Sequence, residues 1–220
     1  MFLIEEIAVY GAIVFDILGT LIHVESLIPS SLAAVLPRYG LELPDARTMR
    51  LCRLLPVYSF VRAYYELDAD RAAAIADEIR AEQHASCCRL AKAYDGAADT
   101  LSSLREQGLR FFAVSSRSPA ETAELLEHTG LRSCIDTIFQ RKGRNGFLRE
   151  VVAAAGLEPE NILFAGDSVD DMDEAELTGC GFLPCTYGYG FEPWSSSVKL
   201  PVPVLNDIRE LPAVLGELQK

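Results

Sequence analysis

The sequence predicts an α/β fold with a doubly wound, mainly parallel sheet and an inserted helical cap. Short apolar runs alternate with helical patterns, as in sheets whose parallel strands are joined by helices. Three of these runs end at a polar residue. One long stretch, residues 22–92, instead carries Ala-, Leu- and Arg-rich segments with helical spacing. At 220 residues the chain has room for one α/β core and a modest insertion.

Continuous apolar runs mark the main strands, because a strand covered by helices on both faces shows no alternation with polar residues. The three strongest, each with the polar residue that follows, are residues 12–15 before Asp16, residues 110–114 before Ser115, and residues 161–165 before Gly166 and Asp167. Residues 135–139 and 181–184 are weaker strand candidates.

Helix signals separate these strands. Ser118 is a capping residue, Pro119 stands at the first helical position and Glu121 follows three residues after the cap, which predicts a helix running to Gly130. Other helices are predicted over residues 146–156, 173–179 and 209–218 and, within the insertion, over residues 70–93. We therefore expect an α/β core formed by residues 1–21 and 93–220, and a helical cap of residues 22–92 that covers the catalytic edge of the sheet.

Composition limits the class of partner. The formal charge of −12 disfavours binding to nucleic acid or to an anionic membrane surface, while a local site can still take a small anionic molecule. The six cysteines form no CxxC pair, which favours reduced thiols over a metal site. Glu5 and Glu6 stand where a secretory signal would be positive. A cytoplasmic protein, monomeric or homodimeric, is expected.

Polar residues follow the ends of three predicted parallel strands. The carboxyl ends of such strands meet at one edge of the sheet, where ligands bind, so Asp16, Ser115 and Asp167 are expected to lie close together. Two carboxylates brought together repel each other unless a cation lies between them, and hard oxygen ligands favour Mg²⁺.

Several segments resemble the motifs of the haloacid dehalogenase superfamily. Residues 15–21, Phe-Asp-Ile-Leu-Gly-Thr-Leu, resemble the first motif, usually D-x-D-G-T. Val114-Ser115-Ser116 is similar to the second motif and Lys142 to the third, and residues 164–171 resemble the fourth, G-D-S-x-x-D. Residues 186–190, Thr-Tyr-Gly-Tyr-Gly, resemble a segment common in phosphoglycolate-phosphatase-like members. Order, spacing and strand context agree over nearly the whole chain.

The resemblance implies a magnesium-dependent phosphatase whose nucleophile is Asp16. Asp16 would attack phosphorus and form an aspartyl-phosphate, which splits one difficult displacement into two. The metal would be held by Asp16, the backbone carbonyl of Leu18 and Asp167, with Asp171 supporting it from behind.

The resemblance also implies residues that bind a small phosphorylated substrate. Ser115 would donate to the phosphoryl oxygens, and Lys142 would offset negative charge on the phosphoryl group and the nucleophile. Ser116, Gly19 and Thr20 are expected beside the same group.

One residue departs from the family pattern. Phosphatases of this family carry a second Asp two residues after the nucleophile, where this chain has Leu18. General acid–base help of that kind is worth ~10²–10⁴ in rate. Another group on the segment leading into the cap, His23 or Glu25, is a candidate substitute acid.

Three other functions are compatible with this departure. Dehalogenases also lack the second Asp, but they generally lose the Gly-Asp pair that is intact here at residues 166–167. Phosphonatases use a lysine in the cap, whereas the first lysine of this chain is Lys92. A non-catalytic relative that binds a phosphorylated ligand remains the main alternative to a phosphatase.

Overall fold

The computed structural model describes residues 10–52, 56–143, 146–191 and 197–218. The chain divides into two compact units. One consists of the residues up to His23 together with those from Lys92 onward, and the other is Val24–Ala91. The first unit contains the sheet and the second is helical.

The strands of the first unit form a five-stranded parallel sheet and a small ribbon. In chain order they are β1 (Ala12–Asp16), β2 (Ile22–His23), β3 (Lys92–Ala93), β4 (Arg110–Ser115), β5 (Thr137–Gln140), β6 (Ile162–Gly166) and β7 (Gly181–Pro184). The sheet has the order β5-β4-β1-β6-β7, and every pair in it is parallel. β2 and β3 pair antiparallel as a separate ribbon that the sequence did not predict.

The α-helices of the described residues flank this sheet or build the second unit. In chain order they are α1 (Leu27–Val35), α2 (Ala46–Leu51), α3 (Val57–Tyr64), α4 (Ala69–Leu90), α5 (Ala97–Glu106), α6 (Pro119–His128), α7 (Leu148–Ala155), α8 (Val169–Thr178) and α9 (Leu211–Leu218). The predicted α/β fold with a parallel sheet is confirmed.

The central strand is buried on both faces, as its unbroken apolar run predicts. Residues 12–15 are fully inaccessible to solvent. Successive side chains of a strand point to opposite faces. Ala12 and Val14 belong to a core cluster with α7 and α8, and the ring of Phe15 packs edge-on against Phe111, 5.7 Å between centroids. This packing places the carboxyl end of β1 in the middle of the sheet edge.

Side-chain caps mark the starts of α6 and α8. The predicted start of α6 is confirmed, because Ser118 and Glu121 form a reciprocal capping box. The prediction for α8 was wrong at its start: the helix begins at Val169 rather than at residue 173, since Ser168 caps it with Asp171 as the partner three residues on. The prediction for α4 was wrong at its end, because the chain leaves the helix after Leu90 and enters β3.

A buried carboxylate ties α8 to the start of α7. Glu174 is fully buried and accepts the backbone N–H groups of Gly146 and Leu148 at 2.6 and 2.9 Å. Free N–H groups at a helix start need such acceptors. Glu174 therefore fixes the position of α8 against α7.

The second unit packs two helices on the long helix α4. Both α1 and α3 contact α4, and the core between them is apolar. Its members include Leu32, Val35, Phe60, Val61, Ile75 and Ile79. Within the described parts of the chain, no helix combines the length and apolarity needed to cross a bilayer.

Candidate active site

Asp16 lies at the carboxyl end of the central strand. β1 pairs with β4 on one side and with β6 on the other, so the order of strands reverses at β1. Ligands of open α/β sheets bind beyond the carboxyl ends of the strands at such a reversal. Asp16 thus has the position expected of a reacting group in this fold.

Asp167 follows β6 directly and is 5% exposed. Its Oδ2 accepts the backbone N–H of Tyr189 at 2.9 Å and that of Gly190 at 3.1 Å. Hydrogen bonds of this kind favour the charged carboxylate and fix its orientation. The segment after β7 therefore holds a side chain that the strand β6 presents.

Asp171 lies in the first turn of α8 and is 2% exposed. Its Oδ2 accepts the Ser168 hydroxyl at 2.6 Å and the Ser168 N–H at 3.2 Å. Its Oδ1 pairs with Nη1 of Arg141 at 3.1 Å. Both carboxylate oxygens of Asp171 therefore have hydrogen-bond donors.

The three aspartates form one carboxylate cluster. One oxygen each from Asp16, Asp167 and Asp171 lie within 4.8 Å of one another. Burial, and then repulsion from the two neighbouring aspartates, raise the pKa of Asp16 well above its usual range. Burial and the charge of Asp171 raise the pKa of Asp167 to about 6. Burial also raises the pKa of Asp171, against the pull of Ser168 and Arg141.

This cluster fits a magnesium ion. The donors are hard carboxylate oxygens, which Mg²⁺ prefers. Their mutual repulsion is relieved either by protonation or by a cation, and the guanidinium of Arg141 contributes positive charge to Asp16 and Asp171. The charge imbalance of the buried donor set is the observation that favours a cation.

Two glycines make room for the carboxylate of Asp167. Gly19 has φ +103°, and a β-carbon on it would lie 2.6 Å from Cγ of Asp167. A β-carbon on Gly188 would meet the same side chain and would lie 2.5 Å from the Gly19 carbonyl oxygen. The loop after β1 and the segment after β7 thus close on Asp167 with no space for a larger residue.

The loop after β1 turns back on itself. The N–H groups of Leu21 and Ile22 donate to the Ile17 carbonyl at 3.1 and 2.9 Å, and the N–H of Gly19 donates to the Ile22 carbonyl at 2.9 Å. Among the described residues no hydrogen-bond donor reaches the carbonyl of Leu18. That carbonyl is therefore available for a ligand, while the half-buried Leu18 side chain carries no proton to donate.

Thr20 is fully buried, and its hydroxyl oxygen has no hydrogen-bond partner within the described parts of the chain. Leaving a buried hydroxyl unpaired costs ~1–3 kcal/mol. An orphan of this kind calls for an explanation such as a ligand or water. It lies four residues after Asp16, in the loop that the sequence motif singled out.

Ser115 ends β4, beside β1, and is 4% exposed. Its Oγ accepts the backbone N–H of Arg117 at 3.2 Å, which leaves its own proton free to donate. Its carbonyl accepts the backbone N–H of Arg141 at 2.7 Å, so the ends of β4 and β5 are tied together. The next residue, Ser116, is exposed.

Arg141 and Lys142 are placed differently. The Arg141 side chain is 17% exposed, contacts Asp171 and Asp170, and stacks over the ring of Phe147 at 4.7 Å. The Lys142 side chain is exposed to solvent. The third basic residue of this segment, Arg144, lies outside the described residues.

Comparison with known proteins identifies the family. Residues 13–184 match the family model of the haloacid dehalogenase-like hydrolases. The chain belongs to this family. A phosphoglycolate phosphatase of Rhodospirillum rubrum is 31% identical to this hydrolase over 209 residues, which are 87% of this chain and 86% of the relative.

Solved structures share the fold of this hydrolase at low identity. A haloacid dehalogenase-like family hydrolase from Streptococcus pneumoniae superposes with a TM-score of 0.78 at 20% identity, covering 93% of this chain and 98% of its own. CbbY from Rhodobacter sphaeroides, solved in complex with phosphate, has a TM-score of 0.71 at 17% identity, with 94% and 99% covered. These likenesses support the parallel-sheet architecture.

Three parts of the site of this hydrolase were not predicted. The sequence singled out Lys142, but Arg141 is the basic residue that contacts Asp171. The backbone of residues 189–190, to which the sequence assigned no role in the site, holds Asp167. The Tyr187 hydroxyl contacts the loop after β1. The glycines at 188 and 190 are a sequence signal of close packing in this segment. They do not identify the residues against which the segment packs.

Proposed function

We propose that this hydrolase releases inorganic phosphate from a small phosphorylated molecule, using Mg²⁺ and Asp16 as the nucleophile. The observation that carries the proposal is the cluster of three carboxylates, two of them buried and that of Asp16 half-buried, at the reversal point of the sheet. Its donors suit a hard cation, and the nucleophile is one of them. The phosphatase names among the relatives support the same reaction class.

The metal would be held by Asp16, Asp167 and the carbonyl of Leu18, with Asp171 supporting the cluster through Arg141 and Ser168. When bound, the ion supplies positive charge that offsets the charge of the transferring phosphoryl group. It would also lower the pKa values that burial raises, which keeps Asp16 ionised and nucleophilic.

The reaction proceeds in two displacements at phosphorus. An Asp16 oxygen forms a bond to phosphorus, and the ester oxygen leaves with the electron pair of the broken P–O bond. Water then attacks phosphorus and breaks the bond to Asp16. The products are inorganic phosphate, the alcohol or acid of the leaving group, and the free carboxylate.

Side chains at neighbouring strand ends would bind the phosphoryl oxygens. The Ser115 hydroxyl accepts from Arg117 and so has its proton free for a phosphoryl oxygen. Lys142, which is exposed, would supply a further positive charge to the substrate. Ser116, Gly19 and Thr20 complete the proposed substrate-binding set.

Leu18 sets the expected substrate preference. A departing alkoxide needs a proton, and Leu18 has none to give. The leaving groups of acyl and aryl phosphates, a carboxylate and a phenolate, are weaker bases than an alkoxide and need less help. Among alkyl phosphates, 2-phosphoglycolate is the first to test because of the named relatives. We also infer a reducing compartment, the cytoplasm, because all six cysteines are free thiols.

The test is phosphate release from a panel of aryl, acyl and sugar phosphates and 2-phosphoglycolate, each with and without Mg²⁺. An Asp16→Asn variant, purified identically, is the control. We expect Mg²⁺-dependent release that the variant lacks, fastest with good leaving groups. Acid-quenched protein should carry label from a ³²P-substrate, and Asp16→Asn should not.

The opposite result identifies the alternative. If release never exceeds that of Asp16→Asn, while inorganic phosphate or a substrate still binds by calorimetry, the protein is a non-catalytic binder of phosphorylated ligands. If a haloacid loses halide without Mg²⁺, the reaction is dehalogenation and the metal role is wrong.

A further inference from the structure

One short segment, residues 186–190, contacts both the loop after β1 and Asp167. The hydroxyl of Tyr187 donates to the backbone carbonyl of Thr20 at 2.7 Å. Two residues later, the N–H groups of Tyr189 and Gly190 donate to Asp167. The loop after β1 and the aspartate after β6, which are about 150 residues apart in sequence, are thus held by five consecutive residues, 186–190.

This segment is itself anchored away from the loop after β1. The N–H of Cys185 donates to the Gly166 carbonyl at 2.8 Å, and the N–H of Thr186 donates to the Leu205 carbonyl at 2.9 Å. The Thr186 hydroxyl donates to Oδ1 of Asn206 at 2.7 Å. Tyr187 therefore extends from a backbone that is also hydrogen-bonded outside the loop that it contacts.

A second tyrosine holds the next carbonyl of the loop. The backbone N–H of Tyr94 donates to the Leu21 carbonyl at 3.0 Å. The Tyr94 ring packs edge-on against the Tyr187 ring, 4.7 Å between centroids. Two consecutive carbonyls, those of Thr20 and Leu21, thus accept from donors outside the loop, whereas no donor among the described residues reaches the carbonyl of Leu18.

Burial keeps the Tyr187 hydroxyl in its donor form. Desolvation raises the pKa of Tyr187 well above its usual value, with a smaller contribution from the neighbouring Cys185 thiol. A phenol in such a place stays protonated across the working range of an enzyme. The hydroxyl therefore keeps the proton that it donates to Thr20.

We propose that Tyr187 is a positioning residue, whose hydrogen bond to Thr20 sets the distance between the loop after β1, with its Leu18 carbonyl, and the Asp167 carboxylate. The proposal rests on the proposed function, because it assigns these oxygens to one metal site. Gly19 and Gly188 leave no slack between the two segments, so a shift of the loop would change the distances among the oxygens.

The ordinary role of such a tyrosine would be packing. The substitution Tyr187→Phe separates that packing role from the proposed positioning role. It keeps the ring and its contact with Tyr94 and removes the hydroxyl, with its bond to Thr20 and its contact with the Cys185 thiol. Tyr65 offers a matched control in the helical unit, because its hydroxyl donates to the Glu42 carbonyl at the same distance, 2.7 Å. Tyr65→Phe removes a tyrosine-to-carbonyl bond of the same length, in a more exposed place, far along the chain from any residue of the site.

Three readouts are measured on wild type and both variants. They are hydrogen exchange of residues 17–22, the Kd for Mg²⁺ alone by calorimetry, and kcat and KM. We expect Tyr187→Phe to speed exchange of the Gly19, Leu21 and Ile22 amides and to weaken Mg²⁺ binding about tenfold, as loss of outer supports of metal sites does. It should lower kcat more than it raises KM. Tyr65→Phe should leave all three readouts as in wild type.

The outcomes separate this inference from the proposed function. Wild-type exchange at residues 17–22 in Tyr187→Phe overturns the positioning role, whatever the turnover. Equal changes in Tyr65→Phe also overturn it, since they indicate general loosening. If exchange and Mg²⁺ affinity change as expected but no phosphate is released even by wild type, the proposed reaction fails and the positioning role stands.

Discussion

Nη1 of Arg141 lies 3.1 Å from Oδ1 of Asp171, which is 2% exposed, and the lysine that follows in the motif extends into solvent. A buried aspartate that loses its cation is left uncompensated in a medium of low dielectric constant. The structure therefore places two adjacent basic residues differently. Arg141 neutralises a buried carboxylate, and Lys142 is exposed to solvent.

Arg141→Ala should lower the free energy of unfolding by about 3 kcal/mol, because it removes one member of a largely buried pair. Lys142→Ala should change it by no more than about 0.5 kcal/mol, as an exposed substitution does, and should lower activity if Lys142 binds the phosphoryl group. Urea unfolding in EDTA measures the first effect and phosphate release the second. Equal stability of the two variants would contradict the assignment.

The metal-free protein should become less stable as pH rises. The pKa of Asp167 is about 6 in the folded chain against a usual 3.8, so the folded state holds its proton longer than the unfolded state. The resulting penalty is absent below about pH 4 and reaches about 3 kcal/mol above pH 6. Tm in EDTA should be higher at pH 5 than at pH 7.5, and Mg²⁺ at pH 7.5 should restore it.

Asp167→Asn is the control for this pH effect, since an amide cannot titrate. Its Tm in EDTA should depend less on pH between 5 and 7.5. A wild-type protein that is more stable at pH 7.5 than at pH 5 without metal would show that repulsion within the cluster is already relieved.

Leu18→Asp should raise kcat on alkyl phosphates, because it supplies the missing proton donor. General acid–base help is worth ~10²–10⁴ in rate, and a gain of about 10² is expected in a site not otherwise adapted to it. Leu18→Asn, whose side chain has nearly the shape of an aspartate but no ionisable proton, should show no gain. The measurement is phosphate release with Mg²⁺ at matched folding by circular dichroism. A folded, Mg²⁺-binding Leu18→Asp variant without a gain would refute the missing-acid account.

Thr20→Val should raise the free energy of unfolding by about 1 kcal/mol, because it removes a buried hydroxyl that has no partner in the described chain. Thr178→Val is the matched comparison. The Thr178 hydroxyl donates to the Glu174 carbonyl at 2.8 Å, so its removal should cost about 1 kcal/mol. Chemical unfolding measures both. A loss of activity in a stabilised Thr20→Val would indicate that this hydroxyl serves the ligand.

Gly188→Ala should weaken Mg²⁺ binding by about tenfold, because the new methyl group meets Asp167 and the Gly19 carbonyl. Gly216→Ala, in the interior of α9 with nothing within 4 Å, should bind Mg²⁺ as wild type does. It should also be more stable by up to about 1 kcal/mol. Calorimetry with the metal alone compares the two. Unchanged affinity in Gly188→Ala would mean that Asp167 is not a ligand.

Local signals account for the predictions that succeeded. The apolar run at residues 12–15 predicts a strand buried on both faces, and Ser118 with Glu121 predicts the start of α6, because each pattern acts within a few residues. The start of α8 was missed although the same chemistry was present. Ser168 and Asp171 formed a capping box that had been interpreted only as part of a family motif.

By itself the sequence determined the parallel α/β fold, the helical insertion and the strand ends that carry Asp16, Ser115 and Asp167. It could do so because hydrophobic burial and helix capping are written into neighbouring residues. Only the tertiary structure decided that Arg141 contacts Asp171, that the backbone at residues 189–190 orients Asp167, and that Tyr187 holds Thr20. Each of these contacts joins segments that are distant along the chain, and no local pattern specifies which donor reaches which acceptor.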